Sequence, residues 1–139
     1  MQVSLTNQPK ERQKLLEALR KFARKNQLPA KVLHAADLAL EEHLTNVLNY
    51  GFADTGIHEI VIRLEIVKGD FQIEIEDDGK AFNPLNHPEP DVSLPLSERS
   101  IGGLGIHLIR TFMDELSYCR ERERNVFRMR KHLKSLPAN

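Results

Sequence analysis

This sequence of 139 residues has little cysteine, no excess charge of either sign and no long apolar run. Its single cysteine, Cys119, cannot form an internal disulfide, which favours a reducing compartment. Because 20 basic side chains balance 20 acidic ones, no overall field attracts nucleic acid or an anionic membrane. The N-terminus lacks the pattern of a signal peptide, and no apolar run approaches the length of a membrane span. These absences predict a cytoplasmic protein without a membrane segment and without direct nucleic-acid contact.

The spacing of apolar residues predicts an α+β protein. Helical periodicity predicts one helix that ends at about residue 25, a second over about 30–50 and a third that begins at about residue 104. Thr6 or Asn7 is expected to cap the first helix. Alternation predicts strands at 2–5, 58–67, 116–121 and 125–131, and a hairpin partner that begins at Phe71. Hairpins and helices that share one apolar face make a two-layer sandwich, predicted here as a single domain over residues 1–139.

Glu42 and Asn46 lie four residues apart in the second predicted helix, so both side chains share one helix face. Toward the N-terminus that face continues through Leu38 and Ala35, and it is therefore expected to be covered. A carboxylate and an amide at the edge of a covered face need partners. A magnesium ion with its waters and a phosphate would supply them. The alternative is a solvated helix face on which Glu41 and Glu42 are ordinary surface acids.

Asp77 shares strand parity with Ile73 and Ile75, which predicts that its side chain points into the apolar layer. Burial of a carboxylate is costly unless the group is hydrogen-bonded. An adenine amino group is a suitable donor, and Gly79 would let the backbone approach a ring closely. The alternative is that Asp77 lies beyond the end of the strand and only begins the Asp-Asp-Gly turn.

A glycine cluster follows a segment, residues 80–101, that contains four prolines. Gly102, Gly103 and Gly105 are three of the seven glycines of the chain. Glycine in a helix costs about 1 kcal/mol relative to alanine, so this density needs a reason. One reason is an anion site made of the backbone amides at a helix N-terminus, to which Arg99 and Ser100 would add a charge and a hydroxyl. The alternative is a flexible hinge after the proline-rich segment.

In this order these motifs resemble those of the GHKL ATPase superfamily, and most closely those of the anti-sigma-factor serine-protein kinases. The resemblance covers essentially the whole chain. The matching motifs are the N box, Glu42-x-x-x-Asn46, and the first and second glycine boxes, Asp77-x-Gly79 and Gly103-x-Gly105. The resemblance implies a Bergerat ATP-binding fold, in which a mixed, mostly antiparallel sheet carries helices on one face and residues 83–101 form a mobile lid.

The resemblance also implies ATP and Mg²⁺ as cofactors and assigns roles to site residues. Glu42 would be the general base, Asn46 would coordinate Mg²⁺, and Asp77 would bind the adenine amino group. The implied nucleotide-binding residues are Asn46, Asp77, Gly79, Arg99, Ser100, Gly102, Gly103, Leu104 and Gly105. The late Gly-Thr motif that often supports adenine binding in this superfamily is absent, and Arg124-Asn125-Val126 stands in its place.

The implied function is that of an ATP-dependent serine/threonine-protein kinase and anti-sigma factor in a bacterial partner-switching system. Such a kinase phosphorylates an anti-anti-sigma protein of the STAS type and binds a sigma factor, often as a homodimer. The alternative is an ATP-gated binding module that sequesters a partner without phosphoryl transfer. Glu42 argues against that alternative, because binding alone needs no general base.

Overall fold

The structure is a computed structural model, and it describes residues 1–52, 54, 56–86 and 103–133. The helices and strands predicted from the apolar pattern are all present in these residues. In chain order they are β1 (Gln2–Thr6), a 3₁₀ turn (Pro9–Glu11), α1 (Arg12–Lys25), α2 (Ala30–Asn46), a π-helical turn (Val47–Gly51), β2 (Glu59–Val67), β3 (Asp70–Asp77), a 3₁₀ turn (Pro84–Asn86), α3 (Gly103–Phe112), β4 (Glu115–Glu121) and β5 (Arg124–His132). None of the helices in the described part of the chain is both long and apolar enough to cross a membrane.

The five described strands form one sheet in the order β1-β2-β3-β5-β4. Each of its four pairings is antiparallel, where the resemblance implies a mixed, mostly antiparallel sheet. Two of these pairings, β2–β3 and β4–β5, are hairpins closed by tight turns, which makes their strands antiparallel. Lys68 and Gly69 have φ of 52° and 84°, and Arg122 and Glu123 have φ of 51° and 64°. Positive φ at both central residues matches the twist of the flanking strands. The predicted α+β sandwich is confirmed.

One face of the sheet packs against the helices and forms the core. Alternate strand residues point into it, and Phe71 of β3 stacks on Phe22 of α1 with ring centroids 5.3 Å apart. Ile66, at the far end of β2, is 40% exposed. The strand contribution to the core comprises Val3, Leu5, Ile60, Ile62, Leu64, Phe71, Ile73, Ile75, Phe127 and Met129. The helices therefore cover one face of the sheet, as predicted.

The opposite face of the sheet carries paired charges. Arg63 Nη1 lies 2.9 Å from Glu74 Oε1, and Arg128 Nη2 lies 2.6 Å from Glu74 Oε2. Arg124 Nε donates to Glu76 Oε2 at 2.8 Å. Ion pairs on a sheet face without a covering layer contribute little stability each, but these pairs neutralise the acids of β3 across neighbouring strands.

The predicted cap of the first helix is wrong. The residue before the first helical turn is Gln8, and its side chain forms no cap. The Thr6 hydroxyl accepts a hydrogen bond from the Gln8 amide at 3.3 Å instead. Asn7 donates to the Gly56 carbonyl at 3.0 Å and accepts from the His58 amide at 3.1 Å. These side chains therefore hold the end of β1 to the segment before β2, a use that local sequence does not reveal.

Candidate functional site

Asp77, the last residue of β3, is buried in the core face of the sheet with 2% exposure. It pairs with Ile60 of β2 and Asn125 of β5, so it belongs to the strand ladder. The predicted inward orientation is confirmed, and the alternative that Asp77 lies beyond the strand is wrong. Its Oδ1 accepts from the Gly79 amide at 2.9 Å and from Asn125 Nδ2 at 3.0 Å. No described residue donates to Oδ2, which leaves one carboxylate oxygen available to a ligand.

The environment of Asp77 disfavours its charge. Burial raises the pKa of this carboxyl, and the hydrogen bonds from Asn125 and Gly79 offset part of that effect. An ionised carboxylate that lacks a full set of donors destabilises the folded chain. A further donor at Oδ2 would remove part of this cost.

Asn125 is the centre of the polar network around Asp77. Its Nδ2 also donates to the Lys80 carbonyl at 2.8 Å. Its Oδ1 accepts from the Tyr118 hydroxyl at 2.5 Å and from Arg120 Nη1 at 3.0 Å. In the sequence, Asn125 is distinguished only by its position, where the superfamily often has a Gly-Thr motif. Only the register of β5 against β3 places Asn125 beside Asp77, and a single sequence does not reveal that register.

Asp77 and Asn125 line a small cavity between α2 and the sheet. Its volume is about 10 Å³, room for about one water molecule. The lining is mostly apolar and aromatic, with a few convergent polar groups, as is usual for ligand pockets. A purine base is larger than this space, so base binding requires lining side chains to move. The lining residues are His43, Val47, Gly51, Asp77, Phe82, Tyr118, Asn125 and Phe127.

Gly79 allows the turn after β3 to pack against the end of the π-helical turn. A Cβ atom on Gly79 would lie 2.5 Å from the Gly51 carbonyl oxygen, which accepts from the Lys80 amide at 2.7 Å. We expected Gly79 to admit a ligand ring, but its nearest neighbour is protein backbone. The small residue is needed because this contact fixes Asp77 beside the helix that carries Glu42 and Asn46.

Glu42 and Asn46 lie on the last turns of α2, each one residue before a side chain that lines the cavity. Asn46 is 4% exposed and Glu42 is half-buried. Neither side chain forms a hydrogen bond or an ion pair with another residue in the described ranges. Glu41, by contrast, is exposed and pairs with Arg12 at 2.8 Å. The prediction that this helix face is covered is confirmed at Asn46, and the surface-acid interpretation fits Glu41.

The π-helical turn Val47–Gly51 follows Asn46 directly. Turns of this type are rare, and they occur frequently at functional sites. Here the turn ends at Gly51, whose carbonyl is bound by the segment after Asp77. The helix end and the strand end that carry the candidate residues are therefore joined by main-chain contact.

The expected phosphate end of the site is described only in part. Gly103, Leu104 and Gly105 form the first turn of α3, which packs against α2. The predicted helix start is confirmed. Arg99, Ser100 and Gly102 lie outside the described residues, and so does the expected lid except for residues 83–86, which include the 3₁₀ turn Pro84–Asn86.

A protein-family model matches most of the chain and agrees with the fold described above. Residues 5–131 match the model of the histidine kinase-like ATPase domain. The chain belongs to that family. The family resemblance drawn from the N box and the two glycine boxes is thereby confirmed, and membership in an ATPase domain family implies use of ATP.

Curated relatives of this histidine kinase-like ATPase domain include kinases and anti-sigma factors. An anti-sigma F factor of Clostridium novyi is 36% identical over 107 residues, which cover 70% of this chain and 69% of the relative. Serine/threonine-protein kinase BtrW of Bordetella bronchiseptica is 28% identical over 102 residues, 73% of this chain and 72% of the relative. Serine-protein kinase RsbW of Bacillus velezensis is 26% identical over 84 residues, 57% of this chain and 52% of the relative. These names support the prediction of a serine/threonine kinase.

Solved structures agree on the fold alone. The histidine kinase domain of a blue-light activated histidine kinase from Erythrobacter litoralis superposes with a TM-score of 0.54 at 22% identity, over 76% of this chain and 46% of that chain. Histidine kinase AdeS of Acinetobacter baumannii gives a TM-score of 0.53 at 15% identity, over 97% of this chain and 68% of that one. Both likenesses support the predicted Bergerat-type architecture.

Proposed function

We propose that this chain is an ATP-dependent serine/threonine-protein kinase and anti-sigma factor that phosphorylates an anti-anti-sigma protein of the STAS type. One observation carries the proposal: the buried Asp77 carboxylate, with Oδ1 hydrogen-bonded and Oδ2 left without a donor from the described chain, beside a largely apolar cavity. The relatives named serine-protein kinase and anti-sigma F factor support the same choice of substrate class and partner.

At the nucleotide end of the proposed site, an adenine base would lie beside Asp77 after the lining side chains of the cavity move. The exocyclic amino group of adenine would donate to Asp77 Oδ2, because Oδ1 already accepts two hydrogen bonds. The aromatic and aliphatic lining of the cavity suits the faces of a purine ring. The carboxylate fits an amino donor and not the carbonyl oxygen that guanine presents at the same position.

The phosphate end rests on an amide oxygen and backbone amides. The side-chain oxygen of Asn46 would hold Mg²⁺, a cation that prefers oxygen ligands and neutralises phosphate charge when it is bound. The first turn of α3 would hold phosphate oxygens through its N-terminal amides. The residues assigned to nucleotide binding in addition to Asn46 and Asp77 are Gly79, Arg99, Ser100, Gly102, Gly103, Leu104 and Gly105.

Glu42 would act as the general base. Its carboxylate has no partner among the described residues, so it remains available to accept the proton of the acceptor hydroxyl. The hydroxyl oxygen then bonds to the terminal phosphorus of ATP, the bond from that phosphorus to the bridging oxygen breaks, and ADP leaves. Phosphoryl transfer depends mainly on positioning and charge stabilisation, so few protein groups are required.

The remaining parts of the proposal follow the partner-switching relatives. The chain would act in the cytoplasm as one domain over residues 1–139 and assemble as a homodimer. It would bind a sigma factor as the second partner. Its balanced charge favours protein partners over nucleic acid.

The test is transfer of labelled phosphate from ATP to STAS proteins of the same genome, with Mg²⁺ present. Glu42→Gln should abolish transfer while ATP binding, measured by calorimetry, survives. Glu41→Gln is the matched control, because Glu41 is adjacent, exposed and paired only with Arg12 in the described chain. It should keep full activity. Sequestration of a partner by the wild type without any labelling would favour the binding-module alternative and refute the kinase.

A further inference from the structure

His43 is a buried imidazole that lacks hydrogen-bond partners. It is 3% exposed, and neither Nδ1 nor Nε2 has a partner among the described residues. Buried polar atoms of native proteins are nearly always hydrogen-bonded, and each exception calls for an explanation. The ring stacks on Phe127 of β5 with centroids 4.4 Å apart and planes inclined by 25°. Stacking accounts for the ring faces but not for the two nitrogen atoms at its edge.

His43 lines the same cavity as Asp77 and Asn125. The other polar side chains there are already engaged with one another. Asn125 bonds Asp77, the Lys80 carbonyl and the Tyr118 hydroxyl. The unused hydrogen-bonding capacity of the cavity therefore belongs to His43 and to Oδ2 of Asp77, and both would be available to one ligand.

The protonation state of His43 narrows the chemistry of that ligand. Burial lowers the pKa of His43 to about 3, so the ring is neutral at physiological pH. A neutral imidazole offers one N–H donor and one nitrogen acceptor. It has no charge with which to hold a phosphate or a carboxylate. It matches a neutral heteroaromatic edge, and purine bases offer both donors and acceptors.

Packing alone does not account for a histidine at this place in the core. The cavity has room for about one water molecule, and its volume is about 10 Å³. A core residue of similar size without nitrogen atoms would fill the place above Phe127 at lower cost to folding. The choice of histidine here therefore favours a ligand contact over packing.

We propose that His43 hydrogen-bonds the purine base of the bound nucleotide and, together with Asp77, determines which base this chain accepts. The inference rests on the proposed function, since it requires that a nucleotide occupies this cavity. Asp77 would bind the exocyclic amino group, and the neutral imidazole would contact a ring nitrogen of the same base. The residue thus acts in recognition of ATP and not in transfer of its phosphate.

His43→Leu tests the proposal, because leucine is similar in size and lacks both nitrogen atoms. The Kd for ATP, measured by calorimetry, should rise about five- to tenfold, the effect of one hydrogen bond. The melting temperature of the unliganded variant should be equal to or above that of the wild type. His34→Leu is the matched control, since His34 is exposed on the same helix and does not line the cavity. Its Kd should not change.

Nitrogen NMR of the wild type supplies a second measurement if the leucine variant fails to fold. The ring signals of His43 should shift with ADP and stay in place with tripolyphosphate, which has no base. An unchanged Kd in His43→Leu, or ring signals insensitive to ADP, would overturn the inference. Failure of the proposed nucleotide site gives a different result. In that case the wild type binds no ATP in calorimetry, and Asp77→Asn does not change this result.

Discussion

Burial of His43 should make the folded chain less stable at acidic pH. In the unfolded chain this residue has an ordinary pKa of 6.5, whereas in the folded chain burial lowers the pKa to about 3. Between these values the unfolded chain binds a proton that the folded chain does not. Stability therefore falls as pH drops below 6.5 and continues to fall toward pH 3. His43→Leu removes this linkage and should give a flatter pH profile than the wild type.

The magnitude follows from the size of the shift. A pH of 5 lies about 1.5 units below the ordinary histidine pKa of 6.5, which applies to the unfolded chain. Each unit corresponds to about 1.4 kcal/mol. Relative to pH 7.5, the wild type should therefore lose about 2 kcal/mol more than His43→Leu at pH 5. His58 works in the opposite direction, because a hydrogen bond with Asp54 raises its pKa. Since both proteins contain His58, its contribution cancels in the difference.

The assay is urea unfolding of both proteins at several pH values between 7.5 and 5, without nucleotide. The free energy of unfolding of the wild type minus that of the variant should decrease steadily as the pH falls. Carboxyl groups titrate in both proteins and do not affect this difference. A difference that stays constant within about 0.5 kcal/mol would mean that His43 is accessible to protons in the folded state, and the burial argument would be refuted.

Three further substitutions probe the site and the core. Asp77→Asn should stabilise the unliganded protein by about 0.5–2 kcal/mol, because it removes a buried charge, and it should abolish ATP binding. Thermal melts measure the first effect and calorimetry the second. A melting temperature below that of the wild type contradicts the reasoning. Gly79→Ala should cost about 1–3 kcal/mol in urea unfolding, since its methyl group would lie 2.5 Å from the Gly51 carbonyl oxygen. Phe71→Ala should cost about 3–5 kcal/mol, and a loss below 1 kcal/mol would contradict the described core.

Sequence patterns predicted the fold well because its elements are local. The alternation that places Ile73 and Ile75 in the core also placed Asp77 there, and the hairpin around Gly69 follows from residues adjacent in sequence. The cap at Thr6 and Asn7 failed because the Asn7 side chain bonds residues about 50 positions away. Such a contact is decided by tertiary structure, which helix propensity does not contain.

The candidate site was predictable only where a motif marks it. Glu42, Asn46 and Asp77 stand out by residue type and spacing. Asp77 lines the cavity, and Glu42 and Asn46 each precede a residue that lines it. Asn125 and His43 do not stand out. The position of Asn125 next to Asp77 depends on the register of two strands 48 residues apart. The importance of His43 lies in partners that it lacks, and no pattern in the chain indicates that.

The two faces of the sheet give the strongest argument that the unpaired groups have a function. On the open face Glu74 and Glu76 each have an arginine partner, although solvent would have satisfied them at little cost. On the covered face, where an unmet polar atom is far more costly, both His43 nitrogens are buried without a partner in the described chain. No described residue donates to Asp77 Oδ2, since both hydrogen bonds to this carboxylate reach Oδ1. A sequence shaped for stability alone would show the reverse distribution. These groups line one cavity, where a bound base would contact Asp77 Oδ2 and one nitrogen of His43 together.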